Sequence, residues 1–242
     1  MTRPRLLDLF CGAGGCSVGY ARAGFDVVGV DLNVNALKRN PAPVTMPHDA
    51  MEVLRGETSI DLDSFDVIHA SPPCQHYSVT KHTHKNEHPD LVPEVVELLE
   101  AWRSRSPGRQ WVVENVPGAP MANPLVLCGS MFDLQADDDY IGQRVWLKRH
   151  RLFESSALLM APGPCRHPKG MRVGGVYGGA WSKNASIDPT VKRTGGYAPP
   201  DHVQRELMGI DWMTRQQLNQ AIPPAYTEHL GAQLIDYLRA VA

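Results

Sequence analysis

Four short apolar runs most constrain what this chain can fold into: LLDLF (6–10), DVVGVD (26–31), FDVIHA (65–70) and QWVVENV (110–116). Runs that stay apolar instead of alternating read as strands buried on both faces. Helical patterns lie between them. One carries Val18, Ala21 and Ala23, and NVNALKRN (33–40) is broken by Pro41 and Pro43. A third, LVPEVVELLEAWRSR (91–105), has Pro93 where a first helical turn tolerates it. A short segment, PVTMPHDA (43–50), precedes the third apolar run. This β-α-β-α order predicts a doubly wound α/β fold with a mostly parallel sheet and helices on both faces. Ligands of such a sheet belong at the carboxyl ends of its strands.

The turn after the first run, in DLFCGAGG (8–15), is rich in glycine, which lets backbone approach a ligand and leaves N–H groups free at a helix start. About twenty residues on, Asp31 ends the second run, where it can accept hydrogen bonds from ribose hydroxyls. The GxGG spacing is not the GxGxxG of dinucleotide sites. A nucleoside without a pyrophosphate fits better, and S-adenosylmethionine is such a ligand.

After the third run comes SPPCQ (71–75). Two successive prolines remove two donors and stiffen the backbone, and each extends the residue before it. The segment is a rigid rim at a strand end, and Cys74 is held on it. Most free cysteines are small buried hydrophobes, so the weight falls on what accompanies this one.

DLFCGAGG, VD (30–31), HDA (48–50), SPPCQxxS (71–78), ENV (114–116) and RHRLF (149–153) follow the order and spacing of the DNA cytosine-5 methyltransferases, and the chain resembles that family. RELMGID (205–211) and QAIPPAYTEHLG (220–231) resemble its last two motifs. The resemblance implies a Rossmann-like methyltransferase sheet, S-adenosylmethionine as cofactor and methylation of carbon 5 of cytosine in DNA. Cys74 would add to carbon 6 of a flipped-out base, making carbon 5 enamine-like. Glu114, with a raised pKa, would engage N3 and the exocyclic amine. Arg149 and Arg151 match the family's RxR positions, facing the cytosine O2 and the catalytic carboxylate, and Asn115 would orient the strand end. For the cofactor, Phe10 would stack on adenine, Asp31 hold the ribose and Asp49 accept from the adenine amine. Gly12 and Gly14 would admit the methionine part, with Pro73 alongside.

Some features depart from the pattern. Asn219-Gln220 stands where the family has GN, and Leu147 occupies the place of a glutamine before the RxR pair. The recognition region is only about 45 residues long. The implied division is a cofactor-binding and catalytic domain (1–153), a reduced recognition segment (154–200) and a C-terminal segment (201–242). The recognition stretch contains GGVYGGAW (174–181) and TGGY (194–197), too little for a sizeable base-reading domain.

Charge is uneven. Between Gln143 and Arg193 ten Lys or Arg (144, 148, 149, 151, 166, 169, 172, 183, 192, 193) face only Glu154 and Asp188, about +8 in a chain of net charge −2. A one-signed block of this kind suits a phosphate backbone. Five cysteines (11, 16, 74, 128, 165), odd in number and without CxxC pairs, argue for a reducing compartment. No apolar stretch nears the roughly 20 residues of a membrane span, and the N-terminus has no signal-peptide pattern. A cytoplasmic monomer of a bacterial or phage-infected cell is expected, with restriction-modification as its setting. No metal is expected: His76, His82, His84 and His88 read as residues of the loop that closes over the base, and Cys165 with His167 is too thin a pair. Two other readings stay open, a methyltransferase for free cytosine nucleotides and an inactive DNA-binding homologue.

Overall fold

Each apolar run becomes a strand: β1 (Arg5–Leu9), β2 (Asp26–Val30), β4 (Val67–Ala70) and β5 (Gln110–Asn115). Beyond its first residue β1 is buried throughout, and β4 and β5 are buried end to end, because helices cover both faces of the sheet. The structure, a computed structural model, describes residues 2–74, 90–167, 169–176 and 197–241. Between the runs lie α1 (Gly15–Ala23), α2 (Val34–Leu37), the edge strand β3 (Val44–Met46), α3 (Ala50–Leu54) and α4 (Val92–Ser104). The helix expected over 33–40 is a single turn. Asn33 caps it, taking N–H donors from Asn35 and Ala36, and the chain turns out before Pro41.

The large sheet has seven strands in the order β3-β2-β1-β4-β5-β9-β6, with β6 at Leu125–Leu127 and β9 at Arg151–Ser155. The strands from β3 to β5 are parallel, and β9 enters antiparallel, setting Phe153 opposite Glu114 and Leu152 opposite Asn115. This is the doubly wound, mostly parallel architecture that the strand order predicts. The winding reverses between β1 and β4, so the ligand crevice opens where the glycine turn and the SPPC rim emerge.

A second, three-stranded sheet joins β7 (Gln135–Asp138), β8 (Gln143–Leu147) and β10 (Val173–Gly174) in the order β10-β8-β7. Helix α5 (Asp201–Met208) covers it, and Ala136, Val145, Leu147, Val176, Val203 and Leu207 share one core. The boundaries drawn at 153 and 200 do not follow this layer. Its hairpin lies before 153 and its covering helix after 200, while β9 runs on to Ser155, whose hydroxyl bonds the Trp111 carbonyl. The reason is pairing: a hairpin and a distant two-residue strand make one sheet only across the chain. The C-terminal helices α6 (Arg215–Gln220) and α7 (Pro224–Val241) return to the main body, α7 lying along α1. The four histidines from 76 to 88, Lys183, Lys192, Arg193 and most of both glycine-aromatic stretches lie outside the described residues.

Candidate active site

The carboxyl ends of β4, β5 and β9 converge. The Pro72 carbonyl accepts from Asn115 Nδ2 at 3.1 Å, which clamps the SPPC rim to the end of β5. Pro72 is buried, Pro73 exposed and Cys74 half-buried. Glu114, inward on β5, is 6% exposed, and Arg151 Nε lies 3.2 Å from its carboxylate. Arg151 is itself fixed by donating Nη1 to the His150 carbonyl at 2.8 Å.

Burial pushes the Glu114 carboxyl above its ordinary range, while Arg151, a Ser71 hydrogen bond and Arg149 pull it back without cancelling the rise. The Cys74 thiol is also raised, first by burial and then by the Glu114 charge, against Arg151 and Arg149. The two are therefore linked: a proton on Glu114 removes one of the charges opposing a thiolate at Cys74.

Behind Glu114 runs a buried polar chain of residues that sequence reasoning did not single out. Tyr20 Oη lies 3.0 Å from His69 Nδ1, and His69 Nε2 lies 2.9 Å from Ser71 Oγ. Complete burial lowers the His69 pKa to about 3, so its ring is neutral. His69 sits inside the apolar run DVIHA, where nothing but its residue type marks it.

Arg149 is built differently from its neighbour. Its guanidinium donates Nε to the Ala221 carbonyl (3.0 Å), Nη1 to Val176 (3.1 Å) and Nη2 to Asn219 (2.7 Å). These bonds tie the strand end to the C-terminal segment and the small layer, and its charge also acts on Glu114. Arg151 is the direct partner.

The cofactor side forms around Asp31. Its two oxygens accept Gly12 N (2.8 Å) and Asn33 N (2.7 Å), so the acid shapes the glycine turn as well as offering lone pairs to a ligand. Gly12 has a φ of +50° and open space where a Cβ would stand; at Gly14, with a φ of +85°, a Cβ would run into Asn40. Phe10, a non-glycine at a φ of 58°, sits in the left-handed region, which costs about 1–2 kcal/mol. Asp49 caps α3 through Oδ1, which accepts Met51 N at 2.7 Å, leaving Oδ2 without a donor among the described residues. Under the turn, Asp8 is fully buried, accepts Ser17 Oγ at 2.5 Å on one oxygen and nothing on the other, and burial raises its pKa to about 7.

Of the basic block, Arg144 pairs with Asp137 at 2.8 Å and Arg172 lies over the Tyr197 ring at 4.7 Å. With Arg149 and Arg151 also engaged internally, Lys148, Arg166 and Lys169 are the exposed lysines and arginines of that block other than Arg144, among the described residues.

Residues 4–123 match the family model of the C-5 cytosine-specific DNA methylases. Over those residues the chain belongs to that family. This C-5 methylase segment holds Cys74 and Glu114, whereas Arg149, Arg151 and the C-terminal motifs lie beyond it. The chain is 34% identical over 128 residues to the type II methyltransferase M.XorII of Xanthomonas oryzae, 49% of this chain and 29% of that protein. It is 39% identical over 80 residues to a Methanocaldococcus jannaschii protein assigned by name as a ribosomal RNA large subunit methyltransferase, 29% of this chain and 21% of that one. The chain thus spans less than a third of the length of either relative. Among solved structures, a candidate DNA modification methyltransferase from an E. coli prophage superposes with a TM-score of 0.61 at 17% identity, covering 98% of this chain and 99% of that one. The Dnmt2 methyltransferase of S. pombe superposes at 0.57 with 11% identity and the same coverage. At these identities the likeness is one of fold, and it extends over nearly the whole chain. No helix among the described residues is long and apolar enough to cross a membrane.

Proposed function

We propose that this C-5 methylase transfers a methyl group from S-adenosylmethionine to carbon 5 of cytosine in DNA, through a covalent Cys74 adduct. The observation that carries the reading is the buried Glu114–Arg151 pair at 3.2 Å beside a rim clamped to the same strand end. The cofactor's residues fit: Asp31 for the ribose, the spare Asp49 oxygen for the adenine amine, Phe10 for the ring, and the open side of Gly12, with the tight turn at Gly14 and with Pro73, for the methionine part. S-adenosylmethionine, when bound, supplies the methyl group.

The chain's own residues do the rest. Glu114, whose protonated form burial favours, gives its proton to the ring N3 as the Cys74 thiolate adds at carbon 6. Arg151 holds the Glu114 carboxyl group in place before the transfer and pairs with its carboxylate afterwards. Addition breaks the ring's aromaticity, so carbon 5 becomes nucleophilic and takes the methyl group. The carbon 5 proton then leaves to solvent, Cys74 departs as the thiolate, and the N3 proton returns to Glu114, which restores the neutral ring. Cys74 must meet the face of the ring, which a stacked duplex denies it, so the base is flipped out.

Cys74→Ala should lower methyl transfer by at least about 10³-fold with cofactor binding nearly intact. Wild type should form a covalent complex with DNA carrying 5-fluorocytosine, because fluorine cannot leave as a cation. Residual methylation by the Ala variant at a tenth of the wild-type rate would overturn the mechanism. Rates on dCMP, a short duplex and an RNA oligonucleotide at two salt concentrations distinguish the substrates. A duplex substrate should show a steep fall with salt, and equal rates on dCMP with a flat response would exclude DNA.

A further inference from the structure

Four metal-ligating side chains meet away from the nucleophile. Cys128 follows β6, His150 lies between β8 and β9, and Cys165 and His167 lie on the segment after β9. Their ligand atoms all fall within 4.8 Å of one another, the one such group of three or more among the described residues. Cys128 Sγ is 3.6 Å from His167 Nε2, His150 Nε2 is 3.3 Å from Cys165 Sγ, and Cys165 Sγ is 2.8 Å from His167 Nε2. A tetrahedral zinc ion with bonds of about 2.3 Å to sulfur and 2.0–2.1 Å to nitrogen sets S···N edges near 3.6 Å. One measured edge has that length, a second is within a few tenths of an ångström, and the third has to open by about 0.8 Å.

We propose that Cys128, His150, Cys165 and His167 form a structural zinc site that fastens the segment after β9 to the strand end carrying Arg151. The donor set decides the metal class, since two thiolates and two imidazoles select zinc over the hard cations. Four protein ligands leave no open position, so the site is structural. Two thiolates also balance the charge of a divalent ion, which matters beside the exposed Lys148 and Arg166. The surroundings suit thiolates. Ser130 Oγ lies 3.5 Å from Cys128 Sγ and 3.6 Å from Cys165 Sγ, and it accepts Arg166 N at 3.2 Å, so one hydroxyl serves both sulfurs and the loop.

The consequence reaches the site already described. His150 stands between Arg149 and Arg151, and its carbonyl takes the Arg151 Nη1 bond at 2.8 Å. A ligated His150 fixes the backbone from which Arg151 engages Glu114. It also presents Arg166 and Lys169 on a fastened loop. The zinc proposal does not depend on the methyltransferase reading, and its test reads metal.

The full chain, purified under reducing conditions from zinc-supplemented cells without chelators or a histidine tag, should carry about one zinc per chain by elemental mass spectrometry. Cys165→Ser and His167→Ala, both away from the core, should each fall below roughly a tenth of an ion after dialysis, because metal affinity resides in the complete ligand set. Cys74→Ser should keep the full ion. If either ligand variant does not fold, cobalt added to the zinc-stripped wild type provides the second reading. Tetrahedral visible bands with a thiolate-to-metal charge-transfer band in the near ultraviolet are expected. A wild type that holds no zinc and takes up no cobalt, variants that keep full occupancy, or an intact mass two hydrogens light from a Cys128–Cys165 disulfide would each overturn the proposal.

Discussion

Along the carboxyl edge of the parallel sheet, contacts spanning at most 19 residues shape the cofactor side: Asp31 to the amides of Gly12 and Asn33, and Asp49 to Met51. In and around the three-stranded layer the connections are long. Arg149 reaches carbonyls 27, 70 and 72 residues away, and the Cys/His cluster draws on three separate stretches. The first region is a site shaped by local backbone turns. The second is a set of fastenings that keeps distant segments against it. Binding should therefore fail first when the edge is damaged, and stability when the fastenings are.

Arg149→Met provides the hardest test of that division. Three carbonyls lose a charged donor in a buried setting, a cost on the order of 3–5 kcal/mol. Urea denaturation should show the loss, while isothermal calorimetry on the folded fraction should show S-adenosylmethionine affinity within about twofold of wild type. A variant of unchanged stability but impaired cofactor binding would erase the distinction. Next comes Asp8, beneath the edge. Its folded pKa of about 7 exceeds the ordinary 3.8, so the native state keeps a proton that the unfolded chain gives up. Its contribution to stability is complete below pH about 4 and is lost as pH rises to about 7, at up to about 1.4 kcal/mol per pH unit. Asp8→Asn should flatten that slope between pH 5 and 7 in a urea series, and an unchanged slope would assign the dependence elsewhere.

Asp31→Ala should weaken S-adenosylmethionine by about 1.5–3 kcal/mol, with NAD showing no measurable binding to either protein. Calorimetry with both ligands checks it, and tight NAD binding would move the crevice to another cofactor class. Smallest is Arg144→Ala, five residues from Arg149 in the same basic block. Its pair with Asp137 is exposed on both sides, so thermal unfolding should register under about 1 kcal/mol. Equal losses at Arg144 and Arg149 would mean that burial does not separate them.

The edge was readable in the chain because each strand is a continuous apolar run and each turn carries its glycine, acid or proline within a few residues. Cys74, Glu114 and Asp31 stand at strand ends, where residue type and place coincide. Arg149 and Arg151 look alike in RHR, and only the fold separates them, since Arg151 begins β9 beside Glu114 while Arg149, ahead of the strand, meets the C-terminal segment. His69 was hidden by its apolar company. The Cys/His cluster was hidden by spacing, because 21, 14 and 1 intervening residues match no metal pattern until the fold brings together the end of β6, the β8–β9 link and the segment after β9. The small layer went unseen for the same reason, its two-residue strand β10 being shorter than any pattern can register.

The way α7 lies on α1 bears on how the protein is made. Thr227 Oγ1 donates to the Cys16 carbonyl at 3.0 Å, and Trp212 Nε1 donates to the Ala13 carbonyl at 2.8 Å. The glycine turn and the first helix are thus completed by residues translated about 200 positions later. At ~5–20 residues per second, the ribosome needs roughly 10–40 s to cover that distance. Through that interval the nascent first helix has no cover for its outer apolar face, and the cofactor turn has no brace. Until α7 emerges the glycine turn stays unbraced, and any chain released before then exposes that face to chaperones and proteases.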